Sequence, residues 1–216
     1  MAAVLGWNMT AAQIRLPKKD TIRILALGDS YTIGESVPET ERWPNQLAAL
    51  LRDRGCVVKP PVIIARTGWR TDQLREALVI SGQPDDFTLV TLLIGVNNQY
   101  QNRSVESYAP EFEELLRIAI ARAGGRKDRV MVVSIPDYGF TPFGQPRQAQ
   151  ISASLDRFND RNKAITEALG VAYFHITDIS RRGLSEPDLV AADRLHPSGK
   201  MYGLWVERIM RGIRVR

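Results

Sequence analysis

The chain has 216 residues, of which 44% are hydrophobic and 25% charged, a balance that is ordinary for a globular protein. This length fits one α/β domain that buries a substantial core. Lysine and arginine number 29 against 24 acidic residues, giving a formal net charge of +5. The basic residues fall in short scattered clusters, which favours solvated surface over a nucleic-acid-binding face. We therefore predict no nucleic-acid partner.

Several other classes of protein are disfavoured by what the sequence lacks. The single cysteine, Cys56, excludes an internal disulfide, and with two histidines a zinc site of Cys and His ligands is not expected. No dinucleotide-binding glycine motif or phosphate-loop lysine motif occurs, so we predict neither a cofactor nor a metal. No stretch reaches the roughly 18 apolar residues of a membrane-spanning helix, so no integral membrane association is expected. A basic leader followed by an apolar stretch is missing at the N-terminus, which predicts a cytoplasmic location.

From residue 22 onward, short apolar runs alternate with longer helical patterns. In chain order we predict a strand at 22–27, a helix at 39–54, a strand within 57–65, a helix at 70–80, a strand at 87–94, a helix at 104–123, a strand at 129–135, an extended loop at 137–146, a helix at 148–169, a strand at 171–176 and a helix at 198–211. Strands separated by helices imply right-handed crossovers and a parallel sheet with helices on both faces. The predicted fold class is α/β, a three-layer α/β/α sandwich with a five-stranded parallel sheet. Residues 1–20 are interpreted as an N-terminal extension and 21–216 as a single domain.

Polar residues and glycines follow the predicted strands at one edge of this sheet. Ser30 comes just after the first strand, Gly68 after the second and Asn97 after the third, whereas Asp193 and His196 come after the fifth. Ligands of open parallel sheets bind beyond the carboxyl ends of the strands. We therefore expect these distant segments to converge on one site.

The residue types at this edge can perform nucleophilic catalysis. A serine nucleophile needs an imidazole to accept its proton, and the imidazole needs a carboxylate that fixes its tautomer. Ser30, His196 and Asp193 supply these three groups. Each also has a structural alternative: a helix cap for Ser30, a turn former for Asp193 and a helix-entry residue for His196. Because those alternatives require several coincidences at one sheet edge, we favour catalysis.

Four blocks of the sequence resemble the conserved blocks of the SGNH hydrolases, also called the GDSL family. They are Gly-Asp-Ser-Tyr-Thr at 28–32, Gly68, Gly-Val-Asn-Asn at 95–98 and Asp-Arg-Leu-His at 193–196. The blocks occur in the family's order and span most of the chain. Two positions depart from the usual pattern: Tyr31 replaces leucine, and Asn98 stands where aspartate is usual.

The resemblance implies a flavodoxin-like SGNH-hydrolase fold and a serine esterase that forms an acyl-enzyme. Ser30, His196 and Asp193 would be the catalytic triad. The backbone N–H groups of Ser30 and Gly68 and the side-chain amide of Asn97 would form the oxyanion hole. The expected partner is a small-molecule ester. A lysophospholipase-like or general esterase is the leading hypothesis; the alternatives are a carbohydrate acetylesterase and a catalytically silent binding domain of the same fold.

Aromatic and amide side chains in the neighbouring loops are candidates for substrate binding. They are Trp69, Asn98, Tyr138, Phe140 and Phe143. Aromatic rings beside amides suit a sugar ester or a lipid with a polar head, but they are also common in loop packing. We expect these residues to line the cleft next to the catalytic groups.

Overall fold

The described strands of this protein, all within residues 13–216, form two parallel sheets. The computed structural model describes residues 13–216. The strands are β1 (Ile14–Leu16), β2 (Ile24–Gly28), β3 (Val62–Ala65), β4 (Leu89–Leu93), β5 (Val130–Val133), β6 (Ala172–Phe174) and β7 (Ile213–Val215). The larger sheet has the order β3-β2-β4-β5-β6 with every neighbouring pair parallel. The predicted five-stranded parallel sheet is confirmed.

Helices cover this sheet on both faces. They are α1 (Ser30–Ile33), α2 (Trp43–Asp53), α3 (Thr71–Ile80), α4 (Val96–Tyr100), α5 (Val105–Arg122), α6 (Gln148–Ala168), α7 (Thr177–Ser180) and α8 (Gly199–Arg211). Helix α2 packs against α8, whereas α5 packs against α3 and α6, which gives two helical layers. Among residues 13–216, no helix has the length and apolar character needed to cross a membrane.

The central strands are buried along their whole length, and Thr91 of β4 is their one polar side chain. Every residue of β2, β4 and β5 is buried, as expected for strands covered on both faces. The chain leaves β2 towards β3 on one side and then crosses to β4 on the other. The switch point of the sheet therefore lies between β2 and β4, where parallel α/β folds open a crevice for ligands.

The structure differs from the sequence prediction in several regions, among them the start of α2, the N-terminal strand β1 and the short helices α4 and α7. The helix predicted at 39–54 begins as a separate 3₁₀ turn at Glu39–Glu41, and α2 starts only at Trp43, with Pro44 in its first turn, where the missing N–H of proline does no harm. Strand β1 pairs with β7, and Ile14 and Leu16 are buried. Part of the predicted N-terminal extension thus packs onto the domain, while residues 1–12 lie outside the described residues.

Candidate active site

A cavity of about 330 Å³ lies beyond the carboxyl ends of the central strands. Ser30, Gly68, Asn97 and His196, which come from four distant segments, all line it. The rest of its lining is mostly apolar and comprises Tyr31, Thr67, Val96, Tyr100, Tyr138, Phe143 and Leu195. The structure therefore brings the predicted site residues together around one space.

Ser30 is held at the start of α1 by a tight turn after β2. Gly28 ends the strand, and a side chain there would collide with the Leu93 carbonyl oxygen of β4, so only glycine fits this close approach. Asp29 then caps α1, because its Oδ1 accepts a hydrogen bond from the Tyr31 N–H at 3.0 Å. This turn presents Ser30 to the cavity as the first residue of the helix.

Asp193 and His196 form a close pair on the loop before α8. Asp193 Oδ2 lies 2.6 Å from His196 Nδ1, and its Oδ1 accepts the backbone N–H groups of Leu195 and His196, both at 2.9 Å. Arg194 between them has a φ of +67°, which closes the loop tightly enough for the aspartate to reach its neighbours. With Nδ1–H donated to the carboxylate, Nε2 of His196 is the nitrogen that can accept a proton.

The surroundings of this loop fix its position. The Arg194 carbonyl accepts a hydrogen bond from the Phe143 N–H at 3.1 Å, so the loop is joined to a wall of the cavity. The His196 ring is buried and meets the Tyr31 ring edge-on, with centroids 5.7 Å apart. Because Tyr31 directly follows Ser30, the imidazole lies beside the segment that carries the serine.

The carboxyl of Asp193 is strongly biased towards its ionised form. Desolvation by itself would raise its pKa, but hydrogen bonds from Ser36, from the backbone and ring of His196 and from the Leu195 N–H outweigh that effect and lower the pKa to about 2. The aspartate is therefore ionised at neutral pH. An ionised carboxylate can orient the imidazole and stabilise its cationic form.

Gly68 and Asn97 add hydrogen-bond donors to the lining of the cavity. Gly68 has a φ of +83°, and a Cβ there would meet no atom within 4 Å, so it is the backbone conformation and not space that requires glycine. The Asn97 Nδ2 donates to the Trp69 carbonyl oxygen at 3.0 Å. Since a side-chain amide carries two N–H donors, this bond orients the group and leaves a second donor for a ligand.

Three of the five predicted substrate-binding residues do not line the cavity. Asn98 is buried, and its amide is used elsewhere: Oδ1 accepts the Thr71 N–H at 3.1 Å, and Nδ2 donates to Thr71 Oγ1 at 2.6 Å. These bonds tie α4 to the start of α3. Trp69 packs against the hydrophobic core, and Phe140 is half-buried away from the cavity lining. The expectation that these three residues line the cleft is therefore corrected, whereas Tyr138 and Phe143 do line the cavity.

Sequence reasoning missed Tyr100, which completes a cluster of aromatic rings at the cavity. The ring centroids of Tyr100 and Tyr138 lie 6.2 Å apart, and each lies 6.4 Å from that of Phe143. We call these three residues the aromatic cluster. Tyr100 follows Val96 by four residues on α4, and this spacing places both on one side of the helix. That spacing was the signal available in the sequence.

Beneath the serine, Asp29 is a fully buried acid with one unpartnered oxygen. Within residues 13–216, its Oδ2 has no hydrogen-bond partner. Desolvation raises the pKa of Asp29 to about 7, despite hydrogen bonds that lower it. Between about pH 4 and pH 7 the folded protein thus holds a proton that the unfolded chain has released, so folding stability falls as the pH rises through this range.

We expect Asp29→Asn to remove this pH dependence, because the amide does not titrate. The wild type should lose on the order of 2–4 kcal/mol of unfolding free energy between pH 4 and pH 7, and the variant should lose much less. Urea unfolding across that pH range measures the slope. Asp20→Asn, at an exposed aspartate, is the control and should keep the wild-type slope. Equal slopes for wild type and Asp29→Asn would contradict the prediction.

The described residues show no arrangement suited to a metal ion. Across 13–216, no three or more His, Cys, Asp or Glu side chains are grouped in a way that could hold one. The expectations of no cofactor and no nucleic-acid partner stay predictions.

Comparison with known proteins identifies the family. Residues 26–204 match the GDSL-like lipase/acylhydrolase family. The chain belongs to this family and is a carboxylic ester hydrolase. A search of curated protein sequences found no significant match.

Solved structures share the fold at low sequence identity. A lipase/acylhydrolase from Enterococcus faecalis is 20% identical, with a TM-score of 0.67 over 88% of this chain and 94% of that chain. Phospholipase A1 from Streptomyces albidoflavus NA297 is 17% identical, with a TM-score of 0.68 over 88% and 98%. The acetylxylan esterase Axe2 from Geobacillus stearothermophilus is 16% identical, with a TM-score of 0.68 over 93% and 99%. These likenesses support the predicted SGNH-hydrolase fold.

Proposed function

We propose that this protein is a serine esterase of the general or lysophospholipase-like kind, which cleaves esters of apolar acyl groups through an acyl-enzyme. The observation that carries the proposal is the shared cavity, which Ser30 and the Asp193-paired His196 line together with Gly68 and Asn97. A nucleophile, a base with its carboxylate and two further donors are the parts that ester hydrolysis by serine requires.

In the proposed reaction, the Ser30 hydroxyl attacks the ester carbonyl while Nε2 of His196 takes its proton. Asp193 stabilises the resulting imidazolium. The bond to the leaving oxygen then breaks, His196 returns the proton to the departing alcohol, and the acyl group remains on Ser30. Water repeats the sequence to release the carboxylic acid and regenerate the serine.

The negative oxygen of the tetrahedral intermediate needs donors fixed in advance. The N–H groups of Tyr31, Thr32 and Ile33 all bond to Asp29. The first N–H of α1, that of Ser30, is the first proposed donor to the oxyanion. The Gly68 N–H and the second N–H of Asn97 are the other proposed donors. Removal of one such donor typically costs about 10²–10³ in turnover.

An organophosphonate ester that mimics the tetrahedral intermediate tests the nucleophile directly. We expect p-nitrophenyl ethylphosphonate to inactivate the protein and to leave one covalent adduct on the peptide that contains Ser30, because only an activated serine attacks phosphorus readily. Mass spectrometry of the digested protein locates the adduct. Prior replacement of His196 by alanine should prevent labelling. An adduct on another residue, or none, would contradict the proposed mechanism.

The apolar wall of the cavity supports an acyl group as the ligand. The aromatic cluster, Val96 and Leu195 line it, and 330 Å³ lies at the lower end of the range for small-molecule sites. Tyr138 is buried, whereas Tyr100 and Phe143 are 48% and 46% exposed. The two exposed rings would therefore contact the outer part of a longer acyl chain.

A series of p-nitrophenyl esters from acetate to octanoate tests this wall. We expect Tyr100→Ala and Phe143→Ala to lower kcat/KM for octanoate by about three- to tenfold each, because apolar contact is lost, and to change the value for acetate little. Val57→Ala, at a valine that is 61% exposed outside the cavity, is the control and should match the wild type throughout. Equal losses on all esters would refute an acyl-binding role, and faster turnover of acetylated sugars would favour the carbohydrate acetylesterase.

A further inference from the structure

The carboxylate of Asp193 has a second side-chain partner that the catalytic assignment does not use. The Ser36 hydroxyl donates a hydrogen bond to Asp193 Oδ2 at 2.6 Å. The same oxygen pairs with His196 Nδ1, also at 2.6 Å. We propose that Ser36 is a positioning residue that acts through Asp193, holding the carboxylate in the orientation that aims His196 at Ser30. This inference rests on the proposed serine mechanism.

Ser36 lies on the loop that follows α1, and this loop is fastened to the nucleophile. The N–H groups of Gly34 and Glu35 both bond to the Ser30 carbonyl oxygen, that of Glu35 at 3.0 Å. Because Ser36 comes next in the chain, its hydroxyl connects the segment of the serine to the segment of the acid and base. The distance between those segments is thus fixed by a link that spans 157 residues of sequence.

The same loop is also joined to the segment of the proposed oxyanion glycine. Thr67 Oγ1 donates a hydrogen bond to a carboxylate oxygen of Glu35. Thr67 directly precedes Gly68 and lines the cavity with it. Glu35 thus contacts the loop that carries Gly68, and Ser36 contacts the loop that carries Asp193 and His196. A residue that sets the relative positions of these loops is expected to lie here.

The backbone of Ser36 suits glycine better than serine. Its φ is +65°, in the left-handed region that residues with a Cβ adopt at a cost. Glycine would relieve that cost but has no hydroxyl. The presence of serine at this position is therefore explained by its hydroxyl, which bonds to Asp193.

We expect the loss of the Ser36 hydroxyl to lower kcat less than the loss of Ser30, Asp193 or His196 would. Two backbone N–H groups also hold Asp193, and Ser36 is exposed, so water can replace part of its hydrogen bond. Hydrogen bonds to charged groups contribute more than neutral ones, and we expect kcat to fall about tenfold without Ser36. KM should change less than about twofold, because Ser36 does not line the cavity.

Two substitutions with opposite effects on the backbone test the proposal. Ser36→Ala and Ser36→Gly both remove the hydroxyl. Glycine also relieves the strained φ, so Ser36→Gly should have a higher Tm than Ser36→Ala. Ser107→Ala is the matched control, because this exposed serine donates only to the Ser104 carbonyl of its own helix. Hydrolysis of p-nitrophenyl butyrate and thermal unfolding are measured for all four proteins. The proton NMR resonance of the His196 Nδ1–H is recorded in the absence of substrate.

A fall in kcat for both variants at nearly constant KM, whatever their Tm, supports the proposal, as does a shifted Nδ1–H resonance in both. Wild-type kcat in Ser36→Gly, or an unchanged resonance in Ser36→Ala, would overturn it. Failure of the proposed function looks different. In that case Ser30→Ala retains full turnover, and the NMR measurement still decides whether Ser36 positions the Asp193–His196 pair.

Discussion

Ser30→Ala should reduce ester turnover by about 10⁴-fold or more, because the covalent route loses its nucleophile and only substrate binding and the oxyanion donors remain. KM should stay within a few-fold, since alanine preserves the shape of the cavity wall. Ser30 is 5% exposed and begins α1, and its side chain caps nothing there, because the capping group is Asp29. We therefore expect a wild-type Tm.

Steady-state kinetics on p-nitrophenyl butyrate measures this loss, with Ser107→Ala as the control for removal of a hydroxyl from the surface. Purification of the variant in separate equipment excludes carry-over of wild-type enzyme, which would mimic residual activity at these low rates. Turnover within tenfold of the wild type would show that another group attacks the ester.

Asp193→Asn should lower kcat by about 10³–10⁴-fold while leaving the loop folded. The two oxygens of Asp193 have separate tasks: Oδ1 accepts two backbone N–H groups, whereas Oδ2 faces His196 and Ser36. Asparagine can keep the first task with its remaining oxygen. Its NH₂ group then faces Nδ1 and selects the imidazole tautomer that carries the proton on Nε2. In that tautomer Nε2 cannot accept a proton from the serine.

The pH dependence distinguishes this explanation from unfolding. The Asp193 pKa of about 2 lies below the ordinary value of 3.8, so the ionised form stabilises the folded protein above about pH 4, and that contribution is lost as the pH falls towards 2. Asp193→Asn should therefore show a flatter decline of Tm between pH 4 and pH 2, together with its large loss of kcat at pH 7. A variant that keeps wild-type kcat would refute the role assigned to Asp193.

The architecture and the meeting of the candidate catalytic segments could be predicted from the sequence, because both follow from long-range rules. Alternating strands and helices specify a parallel sheet, and residues that follow parallel strands meet at one edge. Ser30, Asn97 and His196 needed no further information to be assigned to one site. Strands β1 and β7 were missed, because each has only three residues and lies outside the run of alternating strands and helices, at 22–211, from which the sheet was predicted.

Side-chain direction is the part that the sequence could not give. Asn97 and Asn98 are neighbours on a helix and point about 100° apart, so one lines the cavity and the other binds Thr71. Which of them faces the cavity depends on how α4 is rotated against its surroundings. The backbone of Ser36 is a further example, because serine has no preference for a positive φ and the partner of its hydroxyl lies 157 residues away in the sequence.

The hydrogen bond between the Phe143 N–H and the Arg194 carbonyl has a consequence for protein engineering. It makes the backbone of the loop around Phe143 part of the support for the Asp193–His196 pair. Insertions or deletions near residue 143 would displace Arg194, and with it the neighbouring carboxylate. Variants with a new substrate range should therefore be sought by exchanging rings at positions 100, 138 and 143 at constant loop length.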